Sequence, residues 1–190
     1  VVCWGRNDYG QTIVPSLANP TLVNAGLYHT CALDDTGVVC WGGNIYGEET
    51  VPSLANPTQV SVGDSHTCAL DDTGVVCWGW DSEGQSTVPS LANPTRVSAG
   101  YRHTCALDDT GVVCWGNNEF GRTNVPSLAN PAEINVGRSH NCALDNTGVV
   151  CWGRDDVGES TVPNLAIDPD GDGYSTQGGA DAFPLDATEW

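Results

Sequence analysis

Cysteine recurs in this chain at a fixed interval of 37 residues. One series is Cys3, Cys40, Cys77, Cys114 and Cys151, each followed by Trp-Gly. The other is Cys31, Cys68, Cys105 and Cys142, each two residues after a histidine. Pro15, Pro52, Pro89, Pro126 and Pro163 keep the same interval, without insertion or deletion. A constant period of this size specifies a solenoid, propeller or array of small units that bury their apolar faces on one another. It also bears on function. A catalytic centre needs one constellation, so residues present in every copy read as scaffold.

Within the copy that starts at Gly26, His29-Thr-Cys-Ala-Leu33 is a short apolar run. Asp34-Asp-Thr-Gly37 is a turn cluster, and Val38-Val-Cys-Trp-Gly42 is a β-branched and aromatic run. The pattern predicts a β-hairpin with a four-residue loop, Gly37 supplying a positive φ. Leu33 then faces Val38, Ala32 faces Val39 and Cys31 faces Cys40. Opposed residues of an antiparallel pair bring their Cα atoms within disulfide range. Side chains alternate across a strand, so Cys31, Leu33, Val38 and Cys40 share one face and Ala32, Val39 and Trp41 the other. Both faces are apolar and both need covering, which a radial stack of small sheets achieves. Downstream, Thr50-Val-Pro52 is restricted to an edge strand or irregular chain by its proline. Gln59-Val-Ser-Val62 reads as a further short strand. Each unit supplies three or four strands and no helix: the fold expected is an all-β propeller, or an open arc of one.

The pattern V-x-A-G-x-x-H-T-C-A-L-D-x-x-G-x-V-x-C-W-G-x-N-x-x-G, seen from Val97 onward and in its sister copies, resembles the regulator of chromosome condensation repeat in its short bacterial form. The resemblance covers about residues 1–166 and implies a β-propeller. Similar short units occur in a secreted propeller-type β-lactamase inhibitor, including a turn like Gly10-Gln-Thr-Ile-Val-Pro15. The family also includes a nuclear exchange factor, interaction platforms and surface proteins. Five Cys-Trp-Gly strands stand beside four His-x-Cys strands. Propellers have 4–8 blades, so four and a half units predict an open arc or a very small ring, with further blades or another chain completing it.

The cysteine pairs expected are Cys31–Cys40, Cys68–Cys77, Cys105–Cys114 and Cys142–Cys151, with Cys3 left unpaired because its mate would precede residue 1. Each small-loop bridge contributes roughly 2–3 kcal/mol. Reduced buried thiols, and zinc held by His29, Cys31 and Cys40, are the alternatives. Nine cysteines in a loop-rich chain point to an oxidising compartment, hence to a secreted or cell-surface protein. The repeated His29, His66, His103 and His140 read as structural groups bonded to backbone at a blade edge, rather than as bases beside nucleophiles.

Charge narrows the partners. The chain has 24 acidic residues against six arginines, a net charge of −18. Nothing here neutralises a run of phosphates, which argues against nucleic acid, and no apolar run reaches membrane-spanning length.

The repeats end near Ala166. Asp168-Pro-Asp-Gly-Asp-Gly-Tyr174 follows, the start of a calcium loop. The carboxylates of Asp168, Asp170 and Asp172 point inward in such a loop, Gly173 allows the sharp turn, and Tyr174 offers its carbonyl. Position 12 is Gly179 rather than glutamate, and Asp181 is the substitute ligand. Asp186 is available for a second site. Residues 167–190 resemble thrombospondin type 3 and related aspartate-rich repeats, which implies Ca2+. The division expected is 1–166 propeller repeats and 167–190 calcium-binding tail.

Two stretches change between copies, while the strands and the Val-Pro-Ser-Leu-Ala-Asn-Pro loop change much less. One follows Cys-Trp-Gly and contains Arg6, Tyr9, Tyr46, Trp80, Phe120 and Arg154. The other precedes the histidine and contains Tyr28, Tyr101, Arg102 and Arg138. Aromatics and arginine are enriched at binding hot spots. These ten residues are the candidate surface for a protein or glycan ligand in a non-catalytic interaction module. The competing readings are a subunit of an extracellular filament or surface layer completed by strand exchange between chains, and, with no unique acid–base set visible, an enzyme.

Overall fold

The computed structural model describes residues 1–163. It contains four three-stranded antiparallel sheets, one per repeat. The first is β1 (Leu22–Ala25), β2 (His29–Asp34) and β3 (Gly37–Gly42). The second is β4 (Gln59–Val62), β5 (His66–Asp71) and β6 (Gly74–Gly79). The third is β7 (Arg96–Ala99), β8 (His103–Asp108) and β9 (Gly111–Gly116). The fourth is β10 (Glu133–Val136), β11 (His140–Asp145) and β12 (Gly148–Gly153). The order is sequential in each, so every sheet is a three-strand meander, a blade.

The hairpin register is the one the alternation dictates: Leu33 opposes Val38, Ala32 opposes Val39 and Cys31 opposes Cys40. The loop is shorter than the four residues expected. Asp34 pairs with Gly37, leaving only Asp35 and Thr36 unpaired. The Asp34 side chain permits this, because its Oδ1 accepts from the Thr36 N–H and hydroxyl and so closes the turn. Gly37 lies at φ +116°, as a turn residue of this kind requires. The Thr50-Val-Pro52 segment forms no strand, so each blade has three. One 3-10 turn, Glu119–Gly121, interrupts the all-β pattern.

Blades pack face on edge around the inner strands β1, β4, β7 and β10, each of which contacts its successor. The disulfide face of one blade covers the inner strand of the next: Cys31, with Leu33, Val38 and Cys40, packs on Val60 and Val62. Cys68 does the same on Val97 and Ala99, and Cys105 and Leu107 on Ile134. Burying a valine such as Val60 contributes about 1.5–3 kcal/mol. The other face holds the tryptophan. Trp41, Trp78, Trp115 and Trp152 are buried, and their indole N–H groups donate to the carbonyls of Gln11, Glu48, Gln85 and Arg122.

The histidines are placed differently from expectation. His29, His66 and His103 are buried, and their partners are side chains of the next blade rather than backbone. Nε2 meets Thr67 Oγ1 at 2.8 Å, Thr104 Oγ1 at 2.9 Å and Asn141 Oδ1 at 2.8 Å. Polar side chains of the inner strands extend the same stitching. The Val62 N–H donates to Asn24 Oδ1, Ala99 N–H to Ser61 Oγ and Val136 N–H to Ser98 Oγ.

The four cysteine pairs are disulfide-bonded, Cys31–Cys40, Cys68–Cys77, Cys105–Cys114 and Cys142–Cys151. Zinc on His29, Cys31 and Cys40 is therefore incompatible with this structure. Cys3 is half-buried and free. Among the described residues the stack is open at both ends. Leu144 of the fourth blade is 46% exposed where its equivalent Leu107 is 7% exposed, and Val23 of the first is 48% exposed where Val60 is 1%.

A variable end with an arginine–aromatic strip

Every middle strand starts at its histidine and ends at an aspartate, so the two ends of the blades differ in chemistry. The aspartate end is constant. Asp34, Asp71, Asp108 and Asp145 each accept from the loop that precedes their own blade, through the N–H of Ala18, Ala55, Ala92 and Ala129, at 2.7 Å. The Val-Pro-Ser-Leu-Ala-Asn-Pro loop is thereby fastened to the hairpin tip, with Asn19, Asn56, Asn93 and Asn130 in left-handed backbone. Hydrogen bonds of this kind stabilise the ionised carboxylate. The Thr36 hydroxyl and adjacent N–H groups hold Asp34 below its ordinary value, and Thr147 does so for Asp145.

The histidine end is variable, and both variable stretches lie there together. The backbone joins them pairwise. Gly43 N–H donates to Tyr28 O at 2.7 Å, Trp80 to Ser65 at 2.8 Å, Asn117 to Arg102 at 2.8 Å and Arg154 to Ser139 at 2.9 Å. The loops after the third strands are shaped by their own side chains. An Asn or Asp near the loop start accepts from backbone five residues on, as Asn44 does from Glu49 and Asp81 from Ser86. A long polar side chain at the loop end turns back onto the loop: Gln11 on Tyr9 N–H, Glu48 on Tyr46 and Gln85 on Glu83. Arg122 fills that position in the fourth loop and donates from Nε to Glu119 O.

All ten candidate residues belong to this end, and they stack. Tyr46 and Trp80 have ring centroids 5.8 Å apart. The Arg102 guanidinium lies 4.8 Å from the Trp80 centroid and 4.6 Å from that of Tyr101, and Arg138 lies 4.8 Å from Tyr101. A strip Tyr46–Trp80–Arg102–Tyr101–Arg138 therefore crosses from the first blade to the fourth. Two smaller groups flank it. Arg6, Tyr28 and Tyr9 form one, with Tyr9 and Tyr28 edge to face at 5.1 Å. Phe120 forms the other with Arg154. Phe120 is exposed and holds φ +63°, a strained conformation for a bulky residue.

The sequence reading missed Arg122. Its side chain is 2% exposed, lies 5.5 Å from the Phe120 ring, and leaves Nη1 buried without a partner. The available signal was positional: Gln11, Glu48, Gln85 and Glu159 occupy the equivalent sites, always a long polar side chain. Among the charged groups at this end, Asp64 stands out. Burial pushes its carboxyl up from the ordinary value, and Arg138 and Arg102 offset part of that.

The proposed calcium ligands Asp168, Asp170, Asp172, Tyr174 and Asp181 lie outside the described residues. Among the described residues, no group of three or more His, Cys, Asp or Glu is placed to hold a metal ion.

Comparison with known proteins agrees with this architecture. Residues 21–48, 58–85, 95–122 and 132–159 match the regulator of chromosome condensation (RCC1) repeat. Among curated proteins none matches the sequence significantly. Among solved structures, the chain is similar to the ectodomain of the Physcomitrella patens receptor kinase CR4. There the TM-score is 0.68 at 28% identity, covering 87% of this chain and 49% of that one. It is also similar to the ectodomain of the Arabidopsis thaliana receptor kinase ACR4, with TM-score 0.64 at 28% identity, covering 80% and 58%. Prp20p from Saccharomyces cerevisiae shares the fold, with TM-score 0.65 at 16% identity, covering 75% and 47%. The chain thus spans about half the length of these structures. With its four matched repeats, it belongs to the regulator of chromosome condensation (RCC1) repeat family.

Proposed function

We propose that this protein is a secreted or cell-surface, non-catalytic interaction module that binds a protein or glycan through the histidine end of its blades. One observation carries the reading. The two variable stretches that flank each hairpin are hydrogen-bonded together at one end, and five of their arginines and aromatics stack into a strip. The constant parts of the repeat are consumed by packing, disulfides and turn closure. Four hairpin disulfides fit an oxidising compartment, and two of the similar structures are receptor-kinase ectodomains.

The test is an affinity screen of the purified chain against glycan arrays and extracellular protein libraries, repeated with variants. Trp80→Ala weakens a genuine ligand about ten-fold or more, a hot-spot effect. Asn56→Ala, at the constant end, leaves it unchanged. A ligand indifferent to Trp80 and sensitive to Asn56 overturns the assignment.

A second reading, a filament or surface-layer subunit, is favoured by the exposed Leu144 and Val23. The fourth blade presents the face that elsewhere covers a neighbour, and the first presents the face that elsewhere is covered. Stacking of one chain's fourth blade on another's first is a head-to-tail contact. Filaments or concentration-dependent oligomers in sedimentation and electron microscopy support it; a monomer at all concentrations rejects it.

A further inference from the structure

We infer that the strip Tyr46–Trp80–Arg102–Tyr101–Arg138 is a binding site for an acidic peptide segment, whose carboxylates pair with Arg138 and Arg102 while its apolar side chains lie on Trp80 and Tyr46. This rests on the reading that the variable end is the binding surface, and it adds the chemistry of the ligand.

Three observations carry it. The first is an unmatched cation. Of the six arginines, Arg138 alone has no carboxylate oxygen within 4.0 Å among the described residues. Asp64, on the same cavity, acts on Arg138 only beyond ion-pair distance, so this exposed guanidinium is open to a close pair with an added carboxylate. The second is Arg102. Glu83 lies 3.4 Å from its Nη1 and Tyr101 Oη 2.8 Å from its Nη2, but its Nε is buried with no partner. The two guanidiniums flank one ring, Tyr101, which fixes their spacing. The third is the neighbouring surface. Arg138 borders a cavity of about 370 Å3 lined by Leu27, Val62, Val136 and Asp64. Carboxylate and apolar groups are therefore both accommodated within one short segment.

A peptide fits better than a sugar chain. Carbohydrate recognition needs free side-chain amides and carboxylates around each ring. Here the nearby Glu83 already accepts from both Asn117 Nδ2 and Arg102 Nη1. An extended peptide sets alternate side chains on one side about 6–7 Å apart. Neighbouring members of the strip are 4.6–5.8 Å apart, so one short extended segment has both cations and aromatics within reach.

The test is selection of a random peptide display library on the chain 1–190, followed by anisotropy titration of synthesised winners. A uronic-acid oligosaccharide series is titrated in parallel. The winners are expected to carry paired Asp or Glu beside an apolar residue. Their affinity is expected to fall about ten-fold or more with Arg138→Glu, and equally when their acids are replaced by amides. Arg96→Glu, the same charge change away from the strip, is expected to leave affinity within about two-fold. Arg138 is exposed, and unaltered thermal melting of its variant excludes misfolding. Neutral winners, no winner above background, or equal effects of the two variants overturn the proposal. Uronate binding that Arg138→Glu abolishes, with no peptide selected, overturns the acidic-peptide inference and leaves the interaction surface standing. If nothing bound depends on the strip, both fall.

Discussion

His66 Nε2 lies 2.9 Å from Thr104 Oγ1 in the next blade, and Thr104 Oγ1 in turn lies 2.9 Å from the carbonyl of Gln85. The carbonyl only accepts, so the threonine hydroxyl donates to it and must accept from His66. His66 therefore carries a proton on Nε2, and burial, which leaves Nδ1 without a partner, keeps the ring neutral. His103 is fixed in the same form by Asn141 Oδ1. Burial keeps all three blade-to-blade histidines, His29, His66 and His103, in the uncharged form.

The pH dependence follows from this. Burial lowers His29 to about 4, His66 to about 3 and His103 to about 4. Above about pH 6.5 neither the folded nor the unfolded chain protonates these rings, and their contribution is complete. Between pH 6.5 and about 4 the unfolded chain binds protons that the folded one refuses, so stability falls as pH falls. Each histidine adds up to about 1.4 kcal/mol per pH unit in that window. Urea unfolding at a series of pH values is expected to show the loss beginning near pH 6.5, with a smaller slope in His66→Gln. A flat profile from pH 7 to 5 contradicts the buried placement. Below the carboxylate range Asp34, Asp71, Asp108 and Asp145 add to the loss, since each sits below its ordinary value. At Asp71 and Asp108 burial opposes this, and the Thr73 and Thr110 hydroxyls with backbone N–H groups outweigh it.

Thr104→Val keeps the shape of the side chain and removes the hydroxyl. It leaves the His66 N–H without a partner in a buried site, while the Gln85 carbonyl keeps the Trp115 indole N–H, at a cost of about 1–3 kcal/mol. Thermal or urea denaturation is expected to show destabilisation in that range. A neutral result would mean that water replaces the hydroxyl and that the blade interface is wetter than its packing implies.

Much of the architecture is legible in one 37-residue unit. Alternation fixes which residues share a face, so Cys31 opposite Cys40 and the two-sided apolar hairpin follow from local spacing. The unread part is non-local. Nothing within a unit indicates that His29 reaches Thr67, because that contact exists only once blades stack. The same holds for Arg122: its charge suggests a surface residue, and only the path of the loop beneath Trp152 buries it. The hairpin loop is two residues rather than four for a local reason, since Asp34 closes a tighter turn with its own side chain. The variable residues were recognisable by their variation, but their convergence into one strip depends on Gly43, Trp80, Asn117 and Arg154 bonding back to the preceding stretch.

Gly63 tests the tight axis. Its Cα faces the carbonyl of Gly100 and the ring of His66, and a Cβ there would lie 2.6 Å from His66 Cε1 and in overlap with Gly100 O. Its backbone φ is not positive, so the requirement is space and not conformation. Gly63→Ala is expected to destabilise by about 1–3 kcal/mol or more through displacement of the adjacent blade. Gly84→Ala sits in open space at positive φ, and its smaller cost, about 1 kcal/mol, comes from the backbone alone. Equal effects in calorimetry would show that the blades have room to separate.

Removing one disulfide separates covalent bracing from packing. Cys68→Ala with Cys77→Ala deletes a nine-residue link whose constraint on the unfolded chain contributes roughly 2–3 kcal/mol. The double variant is expected to unfold at lower urea concentration and to retain the blade order. Non-reducing peptide mapping of the parent chain is expected to return the four pairs and Cys3 as a free thiol. Free thiols throughout would remove the argument for an oxidising compartment.

The final prediction concerns the aspartate-rich segment after the repeats. Asp168, Asp170, Asp172 and Asp181, with the Tyr174 carbonyl, are proposed to hold one Ca2+ ion, because alternating carboxylates followed by glycine suit a hard cation that takes six to eight oxygens. Without a cation these carboxylates repel one another. Titration calorimetry is expected to show Ca2+ binding at millimolar concentration or below, lost in Asp170→Asn with Asp172→Asn. The blades draw their stability from stacked apolar faces and disulfides. Chelation is therefore expected to raise protease cleavage after Ala166 and to leave the earlier residues protected. Absence of binding at millimolar Ca2+ would reduce the segment to an acidic linker. Unfolding of the repeats on chelation would place the domain boundary elsewhere.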